Sequence, residues 1–436
     1  MNAFEPVKIL YTGDLHLGRR PSRIPSSRRG LSVATIWEAI VQAAIDHRVD
    51  LVALTGDVVD RENRYYEAIG PLECGLKRLR EANIATYAVS GNHDFDVLSK
   101  LHRVLGDSHF HLLGKEGTWE SALFERQGQP VLQLIGWSYP TQHVKRSPLA
   151  ALPDLQSDLP TVGLLHADLD QPTSSYAPVT TSELAQHPVA AWLLGHIHAP
   201  QEHRTPSNGL ILYPGSPQPL HPGEPGAHGP WLVEVGASEA VQATHLPLAS
   251  LRYRPLRIDL TTVQSEDDFK HVVPSKIRED LQSLVAQQNT LKHVVYRITL
   301  EGRTKLHRSL DSLYRSLQTD LELSYQRAHA SIDTVFINTT PELDLNILAR
   351  GNDPPGVLAS LILDLQKGVI DASRKSLFNE LRRTLEKAHK ASAFSPLLAD
   401  QQTRDFIKDD AITQMIIAQG LSLLDALHAQ KIQEDL

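Results

Sequence analysis

The chain contains 436 residues, 41% of them hydrophobic and 22% charged, with a formal net charge of −8. A chain of this length exceeds one compact core and predicts two or three domains, and its negative charge argues against tight, self-sufficient DNA binding. Cys74 is the single cysteine, so no intrachain disulfide can form, and no apolar run approaches the roughly 18 residues of a membrane span. We therefore expect a cytoplasmic protein with no membrane segment.

Predicted strands and helices alternate over the first ninety or so residues. Apolar periodicity predicts strands at 7–13, 51–54 and 85–89 and helices at 34–47 and 67–82. This repeated strand, helix, strand order favours a layered α/β fold. Further strands are predicted at 109–112, 131–137, 161–165, 190–194, 209–213 and 231–235.

A basic loop follows the first strand. It holds five arginines within eleven residues, namely Arg19, Arg20, Arg23, Arg28 and Arg29. Arginine suits contact with the phosphates of a nucleic-acid backbone, which needs no base specificity. We predict that Arg19, Arg20 and Arg23 bind substrate, with a solvated surface loop as the alternative.

Five of the predicted strands run directly into polar turns. Because the carboxyl ends of strands form the ligand crevice of an α/β sheet, side chains placed just past them can converge although the sequence separates them widely. The residues in these turns are Asp14 and His16, Asp57, Asn92 to Asp94, His166, and His196 with His198.

The turn residues predict a metal site. They include no thiolate, which excludes a closed zinc site of the cysteine kind, and nitrogen with oxygen donors suits manganese, iron or zinc. Seven donors are too many for one ion, but they suffice for two if Asp57 bridges, which is the layout of a two-metal phosphoesterase. The predicted ligands are Asp14, His16, Asp57, Asn92, His166, His196 and His198.

The character of the chain changes after residue 255. A helix at 266–287 and strands at 293–300 and 332–338 predict a small α+β domain over 256–350. Residues 351–436 read as helical, and apolar residues crowd nearly all sides of the 406–427 stretch. A helix so composed is unstable in water unless neighbouring helices or a partner's helix cover it.

The five polar turns together carry a resemblance. Asp14-x-His16, Gly56-Asp57-x-x-Asp60, Gly91-Asn92-His93-Asp94, His166 and Gly195-His196-x-His198 resemble the calcineurin-like metallophosphoesterase superfamily. Within it, Asp14-Leu15-His16-Leu17-Gly18 and Tyr213-Pro214-Gly215-Ser216-Pro217 resemble the SbcD-type DNA repair exonucleases, nuclease subunits that work beside a coiled-coil ATPase. The resemblance implies a metallophosphoesterase domain of two packed sheets flanked by helices over 1–255, followed by an α+β cap domain and a helical partner-binding region.

The family pattern also implies roles for the site residues. Asp14, His16 and His198 would hold one divalent ion and Asn92, His166 and His196 the other, with Asp57 shared and manganese the expected metal. Water or hydroxide held by the ions would attack a phosphate in line. His93 is expected to stabilise the transition state and protonate the leaving oxygen, with Asp94 orienting its ring.

Three functional hypotheses follow. The resemblance implies a manganese-dependent DNA exonuclease in DNA repair or end processing, which works with an SbcC-like ATPase docked on the helical region; a homodimer stays open. The same ions would also serve a metallophosphatase or phosphodiesterase acting on nucleotides, phosphoproteins or other small phosphate esters. A scaffold with a dead metal site is disfavoured, since every predicted ligand is present.

Overall fold

The structure is a computed structural model that describes residues 5–24, 29–60, 65–105, 109–155, 158–206, 209–236, 240–320, 323–389 and 409–434. Arg28 of the basic loop and residues 406–408 of the predicted final helix lie outside the described residues. The chain divides into two compact units. One comprises residues 1–255, 278–297 and 322–334, and the other 256–277, 298–321 and 335–436. The three predicted domains, with boundaries at 255 and 350, stay a prediction.

The described residues of the first unit form two six-stranded sheets. Their order is β12-β11-β1-β2-β3-β4 in one and β5-β6-β7-β8-β10-β9 in the other. Neighbours β1 to β4 are parallel, as are β6, β7, β8 and β10, whereas the remaining strands pair antiparallel. The strands are β1 (Val7–Thr12), β2 (Leu51–Thr55), β3 (Ala85–Val89), β4 (Phe110–Leu112), β5 (Trp119–Arg126), β6 (Gln129–Trp137), β7 (Thr161–His166), β8 (Ala191–Gly195), β9 (Gln201–Arg204), β10 (Leu210–Tyr213), β11 (Trp231–Val235) and β12 (Val241–His245).

The two sheets pack face to face, and the alternation of side chains along β1 shows how. Ile9 and Tyr11 belong to the core cluster shared with the second sheet, through Leu134 and Leu164 among others, while Leu10 belongs to the cluster formed with the helices. A strand buried on both faces reads as a continuous apolar run, which is why β1 was visible in the sequence. The helices of this region are α1 (Val33–Asp46), α2 (Tyr65–Glu81), α3 (Leu98–Leu105) and α4 (Thr181–Leu184), with 3-10 turns at Arg29–Leu31, Lys115–Gly117 and Pro148–Ala151.

A third sheet has four strands in the order β13-β14-β16-β15. Three of its strands, β13, β14 and β16, contribute residues to both units. The elements of this part of the chain are β13 (Leu251–Asp259), α5 (Glu266–Gln287), β14 (His293–Thr304), α6 (Leu310–Asp320), β15 (Leu323–Tyr325), β16 (Ala328–Pro341), α7 (Leu345–Leu348), α8 (Pro354–Lys367), α9 (Lys375–His389) and α10 (Asp409–Glu434). The predicted fold class, layered α/β with an α+β segment and a helical C-terminal region, is confirmed.

The final helix finds its cover within the second unit. Ile416, Leu421 and Leu424 of α10 join one buried cluster with Leu361 and Ile362 of α8. The two helices approach closely at Gly420, where an added Cβ would lie 2.9 Å from Ile362 Cδ1. Neighbouring helices therefore cover most of the apolar surface of the final helix, which the sequence left open to either neighbouring helices or a partner protein. No helix in the described ranges is long and apolar enough to cross a membrane.

The packing of α1 on α2 predicts a sharp effect at Gly75. A Cβ at this position would lie 2.1 Å from Nε1 of Trp37, a fully buried side chain whose N–H donates to the carbonyl of Pro71 at 3.1 Å. Gly75→Ala should lower the free energy of unfolding by about 1–3 kcal/mol, because the indole must move. The adjacent, exposed Cys74→Ala should change it by less than about 0.5 kcal/mol. Urea denaturation measures both, and equal stability of the two variants would contradict this packing.

Candidate metal centre

Five strand ends of the first unit deliver the predicted ligands to one place. Asp14 and His16 follow β1, Asp57 follows β2 and Asn92 follows β3, while His166 ends β7 and His196 and His198 follow β8. Because β1, β2 and β3 are parallel within one sheet and β7 and β8 within the other, each sheet presents its carboxyl ends at a single edge. The two edges meet at the polar cluster described below.

The backbone at these strand ends is unusual. Four residues of the predicted ligand set have positive φ, namely Asp14 at 49°, His16 at 50°, Asp57 at 51° and His196 at 104°. Left-handed conformations of this kind cost residues other than glycine on the order of 1–3 kcal/mol and concentrate at functional sites. Gly56, with φ of 85°, extends the pattern, and a Cβ there would lie 2.7 Å from His166 Nδ1.

One group of converging donors comprises Asp14, His16 and His198, each of which offers an atom within 4.8 Å of the others. The Nε2 atoms of His16 and His198 lie 3.1 Å apart. Asp14 is fully buried, and both of its carboxylate oxygens accept the backbone N–H of His196 at 3.1 Å. The structure thus assembles the three residues predicted for the first ion.

A second group comprises Asp14, Asp57 and His166, again within 4.8 Å. Oδ2 of Asp57 lies 3.4 Å from His166 Nε2 and 3.9 Å from His16 Nε2, so this carboxylate stands between the two groups as a bridging ligand must. Oδ1 of Asn92 lies 3.1 Å from His166 Nε2. His196 contributes less clearly to this second group, because its Nε2 faces Oδ2 of Asp168 at 3.5 Å.

Burial and neighbouring charges shift the pKa values of these groups in different directions. Burial lowers the pKa of His16 to about 3, so its imidazole is neutral and can donate a lone pair. Although burial opposes the charged imidazolium of His166, the neighbouring Asp57 carboxylate raises its pKa to about 9. Burial also favours the protonated form of Asp57, but the imidazoles of His166 and His16 outweigh it and hold the pKa well below its usual value.

The donor set fits divalent cations. Asp14 and Asp57 are 0% and 2% exposed, and burying carboxylates costs several kcal/mol unless positive charge compensates them. Within the part of the chain that the structure describes, the buried Nδ1 of His16 has no hydrogen-bond partner. Carboxylate, amide and imidazole donors that converge in this way suit metals such as manganese, iron or zinc.

His93 stands at the open side of the cluster. Its side chain is 28% exposed and its ring centroid lies 4.9 Å from that of His16, while its backbone N–H donates to Asp57 at 2.9 Å. This position suits contact with substrate, as predicted, and the catalytic role itself stays a prediction.

Asp94 does not orient the His93 ring, contrary to expectation. Its Oδ1 accepts the N–H of Gly91 at 2.7 Å and its Oδ2 accepts that of Val58 at 2.7 Å, so the carboxylate ties two strand-end turns together. The carboxylate that faces His93 Nδ1, at 3.9 Å, is that of Asp60. Asp60 also lies 3.9 Å from His16 Nδ1 and is almost fully buried.

The basic loop is only partly directed at the site. Nε of Arg19 lies 3.8 Å from Asp60 Oδ2, which brings its guanidinium beside the cluster. Arg23 instead faces Asp333 of β16 at 3.5 Å, and Arg20 is exposed. Substrate binding by Arg19, Arg20 and Arg23 stays a prediction, with Arg20 the arginine most available for it among those described.

Two carboxylates that hold histidines of the cluster are not predicted by any pattern in the sequence. Oε1 of Glu224 lies 2.8 Å from His198 Nδ1, and Asp168 faces His196. Glu224 lies in the Pro- and Gly-rich 214–230 segment. The one sequence signal for its buried role is a charged residue within a run of turn residues. His228 of the same segment is 1% exposed, and its Nδ1 lies 2.6 Å from the Ser216 carbonyl oxygen.

Two family models match the chain. Residues 7–200 match the calcineurin-like phosphoesterase family, and residues 253–340 match the middle domain of the metallophosphoesterase YhaO. The first match contains all seven predicted ligands. The second covers β13 through nearly the whole of β16.

Individual relatives are similar over different lengths. The uncharacterized metallophosphoesterase YhaO of Bacillus subtilis is 30% identical over 199 residues, which are 45% of this chain and 48% of that protein. The DNA double-strand break repair protein Mre11 of Methanosarcina mazei is 34% identical over 88 residues, 20% of this chain and 14% of that protein. Mre11 of Saccharolobus solfataricus is 24% identical over 339 residues, 73% of this chain and 81% of that protein. The chain thus spans about half the length of the first relative and a small part of the second.

The geometry predicts that two substitutions separate metal binding from chemistry. Asp57→Ala should lose bound Mn²⁺, because it removes the carboxylate between the two groups and leaves His166 without its partner. His93→Gln should keep both ions yet lose about two to four orders of magnitude in phosphodiester hydrolysis, as expected for a general acid. Elemental analysis of the purified proteins measures the first effect and steady-state kinetics the second. Loss of metal in His93→Gln would show that His93 is a ligand.

Proposed function

Residues 7–200 form a calcineurin-like metallophosphoesterase domain, and on this basis we propose that the protein is a metal-dependent DNA nuclease of the SbcD and Mre11 type. One observation carries the proposal most: similarity to an archaeal DNA double-strand break repair protein Mre11 extends over 73% of this chain. A relative similar only in the metal domain would support a phosphoesterase of any kind. The length of this match supports the same substrate class.

The chemistry of the proposed reaction is hydrolysis of a phosphodiester. Two divalent ions, which we propose to be manganese, would polarise the phosphate and lower the pKa of the attacking water. The chain would supply Asp14, His16 and His198 for one ion and His166, Asn92 and His196 for the other, with Asp57 between them. No covalent protein nucleophile is required.

Other residues of the chain would act on the substrate. The partly exposed ring of His93 is placed to donate a proton to the leaving oxygen, and its Nδ1 lies 3.9 Å from Oδ1 of Asp60. Arg19 lies beside the cluster and its neighbour Arg20 is exposed, so we propose that both contact the phosphates of a nucleic-acid backbone, independently of base sequence. Together these residues suit a substrate longer than a single phosphate ester.

A small phosphate ester is the second candidate substrate, and the net charge of −8 favours it. Such a charge repels polyanions and weakens their binding at low salt. It does not disfavour a nucleotide or phosphomonoester that reaches the metals alone. The two candidates differ in their dependence on the basic loop.

Arg20 therefore distinguishes the substrates. With Mn²⁺, the purified protein should cleave end-labelled duplex or single-stranded DNA, and Arg20→Ala should slow this cleavage several-fold and make the salt dependence shallower by about one phosphate contact. Hydrolysis of bis(4-nitrophenyl) phosphate by the same variant should be unchanged. The exposed Arg103→Ala on α3 is the matched control. Failure to cleave DNA even with an ATPase partner, alongside rapid turnover of a small ester, would overturn the nuclease proposal.

We further propose that the helical region binds the coiled coil of an SbcC-like ATPase. Although α8 and α10 bury most of their apolar side chains against each other, Leu377 of α9 and Leu423 of α10 are 36% and 52% exposed. Apolar helix faces left in solvent are the usual targets of a partner helix. Among the described residues of α9 and α10, these two leucines are the large apolar side chains with the greatest exposure.

Replacing these leucines should weaken partner binding selectively. The double variant Leu377→Glu/Leu423→Glu should lower affinity for the ATPase at least tenfold, because charge would enter an apolar interface, and should leave hydrolysis of the small diester unchanged. Val104→Glu on α3, at a side chain that is 78% exposed, is the matched control. Calorimetric titration measures the affinities, and unchanged binding by the double variant would exclude this surface.

A further inference from the structure

Each imidazole in the metal centre has two ring nitrogens, and only one of them can face the ions. The nitrogen that binds is set by the hydrogen bond that the other one makes. In this centre, three of the four histidines predicted as ligands have one nitrogen beside an oxygen of the protein. The remaining nitrogen of each therefore identifies the atom available to a cation.

His198 is held by Glu224. The 2.8 Å contact between Nδ1 and Oε1 requires the proton on Nδ1, which leaves Nε2 to face Asp14 and His16. Glu224 is 4% exposed, and its Oε2 accepts both the Ser216 hydroxyl at 2.9 Å and the Leu220 N–H at 2.7 Å. A carboxylate fixed by so many donors cannot rotate away, so it fixes the ring in turn.

His196 is held through the other ring nitrogen, Nε2 instead of Nδ1. Its Nε2 lies 3.5 Å from Oδ2 of Asp168, an oxygen that also accepts the Ser174 hydroxyl at 2.5 Å. Its ring packs against that of Tyr176, with the ring centroids 4.7 Å apart, and this contact restricts rotation about the side-chain bonds of His196. Nδ1 of His196 is then the nitrogen left for a cation.

His166 shows the same principle with a backbone acceptor. Its Nδ1 lies 2.8 Å from the carbonyl oxygen of Thr55, and its Nε2 faces Asn92 and Asp57. The Thr55 hydroxyl donates to the Leu194 carbonyl at 3.1 Å, which anchors the strand end that carries this acceptor. His166 thus matches His198 in ring orientation and differs from His196.

We propose that Glu224 and Asp168 are positioning residues of the metal centre, each of which serves one ion: Glu224 presents His198 through Nε2 and Asp168 presents His196 through Nδ1. The inference rests on the proposed two-metal centre and is independent of whether DNA is the substrate. It predicts that the two carboxylates act separately. Removal of either should weaken one ion and spare the other.

A double-mutant cycle tests this separation with Mn²⁺ alone as the probe. Glu224→Gln and Asp168→Asn should each weaken one of two binding events by about 10–100-fold. Glu224→Gln should add little in a His198→Gln background, because the ring that it positions is already absent, whereas Asp168→Asn should weaken the remaining ion by its full factor. Glu202→Gln and Asp46→Asn, both at exposed carboxylates, are matched controls.

Outcomes that overturn the proposal are equally definite. Unchanged Mn²⁺ affinity in Glu224→Gln, or equal loss of both ions in both variants, would contradict separate positioning. Thermal unfolding of the metal-free variants identifies any that fail to fold.

The wild-type protein loaded with diamagnetic Zn²⁺ provides a test without substitution, since ¹⁵N NMR of the histidine rings reports which nitrogen binds. Metal on Nε2 of His196 or on Nδ1 of His198 would refute the assignment.

Discussion

Two buried carboxylates, Asp14 and Asp57, are the constraint on which the rest of the metallophosphoesterase domain depends. Each is almost fully removed from water, and a charge so placed is stable only among compensating partners. The fold supplies these partners from five strand ends in two sheets, so the polar cluster and the packing of the sheets are parts of one arrangement. Sheets packed in another register would leave the carboxylates without their imidazoles.

The convergence of these side chains strains the local backbone. Asp14, His16, Asp57 and His196 adopt positive φ, a conformation that only a well-determined surrounding structure maintains. Gly195 shows how tightly the strand ends meet, because a Cβ there would lie 2.0 Å from the Thr55 carbonyl oxygen and 2.7 Å from His166 Nδ1. The same carbonyl fixes the His166 ring. Strain, close approach and ligand orientation thus involve the same few atoms.

The sequence predicted most of the fold and the ligand set, for a physical reason. Strands such as β1 and β8 are buried on both faces and appear as apolar runs, and each ends in a polar turn that marks the sheet edge. The edge strands β5, β9 and β12 were missed because their side chains alternate between half-buried and exposed positions and carry many polar residues. Hydrophobic periodicity is weak in such strands.

Side-chain partners across the site were less predictable. Adjacency in sequence pairs Asp94 with His93, yet the Asp94 carboxylate accepts backbone N–H groups of two turns, and the carboxylate beside the His93 ring is that of Asp60. Asp168 and Glu224 lie 28 and 26 residues from the histidines they hold, in loops whose course no periodicity describes. Contacts of this kind depend on tertiary structure and leave no local pattern.

The two-metal centre is tested most directly by anomalous diffraction from crystals grown with Mn²⁺. Two manganese peaks are expected about 3.5–4 Å apart, with the Asp57 carboxylate between them. One peak should lie beside Asp14, His16 and His198, and the other beside Asn92, His166 and His196. A single peak, or two peaks without Asp57 between them, would contradict the two-metal centre.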